Sequence, residues 1–427
     1  MSTLKVNKIR DTSGSADAIT LDPNGGAVLA GVTTISTASI TTANVGAAVT
    51  ITESGIEASG IGITCANING TQIGGRRNLV INGAMNVAQR GTSSTSTGGV
   101  NVIDRMQLNS GGTDEAPTTS QVDVASGTSP YAEGFRKAAK FTNGNQTSGA
   151  GAGDYVHLKM VLEAQDIANS GWNYTSPSSF ITLSFWVKSS VAQAFSATLR
   201  SEDGTRQVYN MTIDSLTADT WTKVTKTIPG NSNLQFDNDV NAGLTLFINA
   251  FSGTTNTTTG LTQNAWSEWS SAKYSADMTS TWYTTNDATF EFTGIQIEVG
   301  SQATPFEHRS FGEELILCQR YYQQYVNPCC TGVIPDNGSK AYSIGLQFQT
   351  RMRAVPTLTI ANAGTGGNVS DGQSTQFISS LSAADRNVDG ASMYLNLAGD
   401  LGDFRPACLG LNDSTTNSTT YKFTAEL

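Results

Sequence analysis

Charged residues and histidines are both scarce in this chain of 427 residues. Asp, Glu, Lys and Arg make up only 14% of the sequence, and 35 acids against 25 bases leave a net charge of −10. An average globular protein has ~25% charged residues. A protein that binds nucleic acid needs clustered Lys and Arg to neutralise phosphates, so nucleic acid is excluded as a partner.

Long apolar runs are also missing. No window approaches the ~18 consecutive apolar residues of a membrane span, so we expect no membrane insertion. The start MSTLKVNKIRD has no apolar stretch of the ~7–15 residues found in secretory signals, so we expect synthesis in the cytoplasm of the producing cell. Five cysteines, odd in number and irregularly spaced, indicate reduced thiols rather than a disulfide framework or a zinc site.

The usual catalytic residue types are sparse. With only His157 and His308, the common general base is nearly absent; we expect His157 to be structural or on the surface and His308 to lie at a domain junction. No G-x-S-x-G, GxxxxGK[ST] or HExxH motif occurs. The acids that glycoside hydrolysis would need are present but have no distinguishing surroundings; they include Asp104, Glu115, Glu163, Glu291 and Glu298. We therefore expect no enzyme activity and no catalytic residues.

No cofactor is expected either. A structural Ca²⁺ between loops is an alternative because hard oxygen ligands are abundant, although the sequence does not identify the metal ligands.

Residues 27–77 have a thin, repetitive composition. Single Ile or Val residues recur among Thr, Ser, Ala and Gly, and no aromatic residue lies between 27 and 75. Such a segment cannot bury enough apolar area to offset a backbone ordering cost of ~1–2 kcal/mol per residue. Disorder and lateral association of identical copies are the two alternatives, and the regular β-branched residues favour association. The preceding residues 1–26 contain two short strands, a small hairpin at most.

Residues 78–310 alternate short apolar and polar segments with turn-rich clusters, which predicts an all-β fold with an antiparallel sandwich. The clearest strand is 180–187, with Leu183, Phe185 and Val187 on one face, and we expect it to face 290–298 across the core. The other strands are expected at 79–81, 102–108, 120–125, 137–141, 155–162, 194–200, 208–213, 221–228, 244–250 and 289–299.

Residues 311–427 begin with a helix signal. Ser310 and Glu313 have the spacing of a capping box, and the predicted helix continues through Tyr322 and stops by Pro328. Strands expected at 341–348, 356–361, 377–378, 393–397 and 420–426 make a second, smaller β domain.

A polar loop at 260–286 is rich in aromatic residues. Such rings present a flat apolar face and a hydrogen-bond donor, which suits stacking on sugars. The alternative is that they close the open end of the sandwich core. The candidate glycan-stacking residues are Trp266, Trp269, Tyr274, Trp282 and Tyr283, with Trp172 and Tyr174 as a weaker second set.

Three stretches together resemble tail-fibre-like structural proteins of tailed bacteriophages, notably those of marine bacteria and cyanobacteria. They are residues 77–91 with 103–106, residues 292–322, and the N-terminal MSTLKVNKIRDTSGS. The family usually has Asp-Arg-Trp where this chain has Asp104-Arg105-Met106, which removes one core aromatic residue.

The resemblance implies a jelly-roll sandwich similar to carbohydrate-binding modules, carried on a homotrimeric fibre that docks on the virion through its N-terminus. It implies that residues 1–26 are the attachment segment and that residues 27–77 form the trimerising shaft. It implies no catalytic residues. The expected partners are phage tail or capsid proteins and a host surface polysaccharide or protein. The expected location is the virion surface, after synthesis in the host cytoplasm.

Three functions remain open at this point. The first is a non-enzymatic tail fibre that adheres to the host cell surface. The second is a capsid or tail decoration fibre without receptor binding, in which the aromatic residues only form core. The third is a depolymerase that cleaves host polysaccharide.

Overall fold

The computed structural model consists mainly of β-strands. It describes six short strands before residue 76 and then residues 76–326, 328, 330–335, 339–343, 345–361, 368–402, 404–409 and 420–427. These six are β1 (Lys8–Arg10), β2 (Asp17–Leu21), β3 (Ala27–Leu29), β4 (Thr42–Val45), β5 (Val49–Thr52) and β6 (Gly55–Ala58). They form two antiparallel three-stranded sheets, β1-β2-β3 and β4-β5-β6. The small hairpin predicted within residues 1–26 is confirmed by the antiparallel pairing of β1 with β2, and β3, which lies just beyond that range, adds a third strand by pairing Leu29 with Ile19. Most of the predicted shaft lies outside the described residues, and its trimerisation stays a prediction.

A β-sandwich of two sheets follows these short strands. Its strands and helices are β7 (Ser93–Ser94), β8 (Gln107–Gly111), β9 (Thr118–Asp123), α1 (Ser129–Ala132), β10 (Lys137–Thr142), β11 (Tyr155–Glu163), α2 (Ala164–Ala168), β12 (Phe180–Ser189), β13 (Phe195–Ser201), β14 (Gln207–Ile213), β15 (Thr222–Pro229), β16 (Ala242–Ser252), β17 (Trp266–Glu268), α3 (Thr281–Thr284) and β18 (Thr289–Val299). Sheet I has the order β15-β12-β18-β10-β9-β7 and sheet II the order β17-β14-β13-β16-β11-β8. Their inner faces share one large apolar core, so the predicted all-β jelly-roll sandwich is confirmed.

The expected position of the strand at 290–298 was wrong. β12 and β18 do not face each other across the core but are antiparallel neighbours within sheet I, with Leu183 opposite Ile297. The inner face of β12 is as predicted, since Leu183, Phe185 and Val187 are all fully buried. Alternation shows which side chains share a face, but it does not show which strands pair.

A bulge at Gly294 changes the side-chain alternation of β18. Phe290 and Phe292 point into the core before it, and Ile295 and Ile297 after it. Gly294 has φ +67°, and a Cβ there would lie 2.6 Å from the Phe135 ring, so this position requires glycine.

Two predicted strands near the start of the sandwich need correction. Residues 79–81 are not a strand, although Leu79 N–H donates to Ile297 O at 2.9 Å and the segment lies along β18. The strand expected at 102–108 begins only at Gln107, because the chain turns through Arg105 with φ +71°.

The C-terminal part has α4 (Phe311–Gln319), β19 (Tyr322–Val326), β20 (Cys330–Ile334), β21 (Lys340–Ser343), β22 (Leu346–Gln347), β23 (Thr357–Ala361), β24 (Asn368–Ser370), β25 (Thr375–Arg386), β26 (Gly390–Leu397), β27 (Arg405–Leu409) and β28 (Thr420–Thr424). One sheet has the order β19-β28-β23, and a second has β21-β20-β27-β24-β25-β26-β22 with an added β21–β26 pairing that closes a ring. These strands enclose an apolar core separate from that of the sandwich.

The predicted capping box is confirmed. Glu313 N–H donates to Ser310 Oγ at 3.3 Å, and Ser310 N–H donates to Glu313 Oε2 at 2.9 Å. The helix was predicted to reach Tyr322 but ends at Gln319, because Tyr322 begins β19 and pairs with Thr424 of β28.

The two stretches of the phage-fibre resemblance that lie in the sandwich meet at one place in the fold. Asn78 Nδ2 donates to Ile295 O at 3.1 Å, Asn82 N–H donates to Glu314 Oε1 at 2.5 Å, and Arg309 donates to Val80 O at 3.1 Å. These residues of the two resembling stretches therefore hold the first loop of the sandwich against its last strand and against α4. Their role in the fold is structural.

Ion pairs connect the sandwich to the C-terminal part of the chain. Arg320 and the Tyr321 hydroxyl both donate to Glu163, at 2.8 and 2.5 Å, while Arg105 pairs with Glu426 at 2.5 Å. His308 instead packs on the sandwich, with Nε2 2.8 Å from Glu133 O.

Candidate functional site

Two of the predicted glycan-stacking residues form core. Trp282 and Tyr283 have no exposed surface; Trp282 Nε1 donates to Thr289 O at 3.0 Å, and the Tyr283 ring stacks on Phe251 at 4.4 Å. Their assignment as stacking residues was wrong, because α3 turns both rings into the sandwich. Trp172 of the weaker set is likewise buried.

The other three predicted aromatic residues are half-buried. Trp266 lies at the edge of sheet II, where its ring packs against Tyr209 and its Nε1 donates to Pro229 O at 2.7 Å. Trp269 and Tyr274 meet edge to face, with ring centroids 6.2 Å apart. Of the five predicted residues, Tyr274 alone lines the pocket described next.

The loop that carries Tyr274 crosses the outer face of sheet II. Thr198 Oγ1 donates to Tyr274 O at 2.5 Å, and Asn249 Nδ2 donates to the same oxygen at 3.4 Å. Thr198 and Asn249 point outward from β13 and β16 and are buried beneath this loop. Hydrogen bonds to the sheet therefore hold the Tyr274 ring at one position above it.

A cavity of about 290 Å³ lies beside this loop on the outer face of sheet II. Its volume is close to the lower end of the ~300–1,000 Å³ range of small-molecule sites. On β11 the even-numbered residues 156, 158 and 160 point into the core, so Tyr155, His157 and Lys159 point outward into the cavity. The lining residues are Asn109, Tyr155, His157, Lys159, Arg200, Phe247, Ser252, Asn256 and Tyr274.

Aromatic rings form one wall of this cavity, hereafter the sheet II pocket. The His157 ring lies between Tyr155 and Tyr274, with centroid distances of 5.1 and 5.9 Å and an interplanar angle of 18° to each. Phe247 meets His157 edge-on at 5.1 Å. Burial lowers the pKa of His157 to about 3, and the nearby charges of Lys159 and Arg200 contribute to this shift, so the imidazole is neutral at pH 7.

The polar part of the sheet II pocket is cationic. Lys159 and Arg200 both line it, and none of its lining residues is acidic. Arg200 Nε donates to Glu202 Oε1 at 2.9 Å, and Glu202 also pairs with Arg206 at 3.1 Å, outside the lining. Burial lowers the pKa of Lys159, and Arg200 and Arg105 add to this while Glu202 opposes it.

Sequence reasoning missed most of this pocket. His157 was expected to be structural or on the surface, and Tyr155, Lys159 and Arg200 were not singled out. The available signal was the outward side of the strand at 155–162, which carries Tyr, His and Lys in alternation. Which neighbouring strands complete the pocket depends on strand pairing, which the alternation does not specify.

In the described part of the chain, no group of three or more His, Cys, Asp or Glu residues is arranged to hold a metal ion. Structural calcium stays a prediction without assigned ligands. None of the described helices is long and apolar enough to cross a membrane.

Comparison with known proteins gives distant structural likenesses only. No family model and no curated protein matches the chain. Among solved structures, it is similar to the enzymatically active domain of tailspike protein 4 of bacteriophage CBA120, at 10% identity and TM-score 0.27, over 52% of this chain and 21% of that chain.

Other similar structures are carbohydrate-binding modules. A CBM4 module aligns at 11% identity and TM-score 0.27, covering 51% of this chain and 97% of the module. A family 11 module from Clostridium thermocellum, in complex with a mixed-linked tetrasaccharide, aligns at 16% identity and TM-score 0.21, covering 48% of this chain and 91% of the module. At these scores the likenesses are remote, and the residues of the sheet II pocket are the basis for its function.

Proposed function

We propose that this chain is a non-enzymatic bacteriophage tail-fibre protein that adheres to a host cell-surface glycan through the sheet II pocket. The observation that carries the proposal is the wall formed by Tyr155, His157 and Tyr274, three ring side chains that line one cavity on the outer face of the sandwich.

The chemistry of the pocket suits a sugar ring. A pyranose has an apolar face of C–H groups that packs against tyrosine, and a rim of hydroxyls that needs hydrogen-bond partners. The neutral His157 ring offers one donor and one acceptor, and Asn109, Asn256 and Ser252 supply further polar groups. Because the loop and sheet hold these groups in place, binding requires little ordering of the protein.

The lining also favours binding over cleavage. Canonical glycoside hydrolysis needs two carboxyl groups on either side of the scissile bond. None of the nine residues that line the sheet II pocket is Asp or Glu. A depolymerase would therefore need a different site on this chain.

The fibre part of the proposal rests on the sequence. The resembling stretches at 77–91 and 292–322, and the thin segment at 27–77, support a homotrimer whose residues 1–26 attach to the tail or capsid of the virion. Three linked pockets would convert weak single-site binding into strong adhesion, because the second contact becomes intramolecular.

Binding of the full chain to immobilised polysaccharide from the host envelope tests the pocket. The change Tyr274→Ala removes one ring contact and is expected to weaken binding by about 1 kcal/mol, or about fivefold, at each site, and by more than that where several linked sites bind together. The matched control is Tyr131→Ala, which should bind as the wild type because Tyr131 lies on α1, outside the pocket. Equal binding by Tyr274→Ala and the wild type would contradict the proposal.

Light scattering on a sizing column tests the fibre assembly. A homotrimer would have a mass of about 135 kDa, three times the chain mass of 44.9 kDa. A monomer would contradict the fibre assembly while leaving the pocket proposal to its own test.

A further inference from the structure

Resting on the glycan-binding role proposed above, we propose that the sugar in the sheet II pocket is acidic, a pyranose that carries a carboxylate, and that Lys159 is its counter-ion. The ligand is thereby assigned a negative charge, and Lys159 is assigned as the residue that determines specificity for it. The rings alone define only the sugar-binding character of the site.

The charge of the lining points to an anion. The whole chain carries 35 acids and 25 bases, so a patch of its surface is more often acidic than basic. The pocket lining has the opposite charge balance, because it contains two cationic residues, Lys159 and Arg200, and no acidic residue. A cavity lined by one sign of charge concentrates ligands of the opposite sign.

Of the two cations, Arg200 already has partners. Its Nε donates to Glu202 Oε1 at 2.9 Å, and its Nη2 lies 2.8 Å from the same oxygen. Thr245 Oγ1 also donates to Glu202, which holds this pair on the sheet. Arg200 is thus fixed in the wall by Glu202, a carboxylate that it shares with Arg206.

Lys159 has no such direct partner, since Glu202 acts on it only at longer range. Among the residues that the structure describes, its ammonium makes no ion pair and donates no hydrogen bond. Its cross-strand neighbours are Phe247 on β16 and Gln107 on β8, whose Nε2 donates to Leu427 O at 2.5 Å. Since a half-buried unpaired ammonium costs free energy, a ligand carboxylate at this position would offset that cost.

Two buried polar groups of the same pocket lining also lack partners, His157 two residues before Lys159 on β11 and Ser252 opposite Tyr155 on β16. Ser252 Oγ is buried with no hydrogen-bond partner, and the His157 ring, 7% exposed, makes no hydrogen bond among the described residues. Both side chains line the sheet II pocket. The His157 ring, two residues from Lys159 on the same face of β11, would hydrogen-bond a hydroxyl of a sugar whose carboxylate lies at Lys159.

The test uses the full chain and three forms of host envelope polysaccharide: native, carboxyl-reduced so that each carboxylate becomes a primary alcohol, and desulfated. Each form is measured against the wild type, Lys159→Gln, Tyr274→Ala and the control Lys226→Gln. Lys226 lies on β15 of sheet I, so its substitution makes the same charge change away from the pocket.

We expect carboxyl reduction and Lys159→Gln each to weaken binding about tenfold, the scale of one charge-assisted contact, and the two together to weaken it no further. Lys226→Gln and desulfation should have no effect. Full binding by Lys159→Gln, or a loss on desulfation instead of carboxyl reduction, would overturn the acidic-sugar inference.

The two proposals fail differently. If Tyr274→Ala weakens binding while carboxyl reduction changes nothing, the glycan site stands and the acidic-sugar inference is wrong. If no form of the polysaccharide binds the wild type, the proposed function itself is wrong, and the inference with it.

Discussion

Acidification from pH 7 to pH 5 should destabilise the sandwich by about 2 kcal/mol through His157 alone. The unfolded chain protonates this histidine below its ordinary pKa of 6.5, whereas the folded chain protonates it only near pH 3. The contribution of His157 to stability is therefore fully present above pH 6.5 and is lost as the pH falls, by about 1.4 kcal/mol per pH unit. Between pH 7 and pH 5 this amounts to about 2 kcal/mol.

Urea unfolding followed by tryptophan fluorescence measures this loss of stability in the sandwich, because all six tryptophans lie in it, from residue 172 to residue 282. Carboxylates also titrate over this range, so the quantity of interest is the difference between the wild type and His157→Gln. The wild type should lose about 2 kcal/mol more than the variant on acidification. His308→Gln serves as the control and leaves His157 as the only histidine for an NMR titration, in which its signal should not shift between pH 8 and pH 5. Equal pH dependence in the wild type and His157→Gln would refute the burial argument.

Three further predictions concern stability. Trp282→Ala should destabilise the sandwich by about 3–5 kcal/mol as a core deletion, measured by urea unfolding; a stable variant with weakened glycan binding would instead support a stacking role for Trp282. Ser310→Ala should cost about 1 kcal/mol through loss of the helix cap to Glu313, and an unchanged unfolding midpoint would contradict the cap. Gly83→Ala should cost about 1–3 kcal/mol or more, because its Cβ would lie 2.0 Å from Ile295 O, and wild-type thermal stability would exclude this close approach.

Much of the fold could be predicted from alternation and capping. The strands at 180–187 and 289–299 and the start of α4 at Ser310 follow from residue patterns that are local in sequence. Local patterns do not specify which strands pair. The side-by-side pairing of β12 and β18, and the early end of α4 where Tyr322 joins β28, are both set by partners far away in sequence.

The candidate site was less accessible to sequence reasoning for the same reason. Aromatic residues in a polar loop were expected to be exposed, yet Trp282 and Tyr283 turn inward while Tyr274 turns onto sheet II. The distinction depends on α3 and on hydrogen bonds from Thr198 and Asn249, neither of which a composition argument can detect.

The resemblance to phage fibres identified scaffold rather than binding residues. Its matched positions, such as Asn78, Asn82 and Arg309, connect the first loop, the last strand and α4. None of these residues lines the sheet II pocket. The pocket residues, among them Lys159 and Tyr274, therefore lie outside the matched scaffold positions.

The most direct test of the account is a crystal or cryo-EM structure of the full chain with bound fragments of host envelope polysaccharide. We predict ordered sugar density in the sheet II pocket, against Tyr155 and Tyr274, with a carboxylate next to Lys159 Nζ. An ordered sugar bound elsewhere on the chain, with the sheet II pocket empty, would contradict the account.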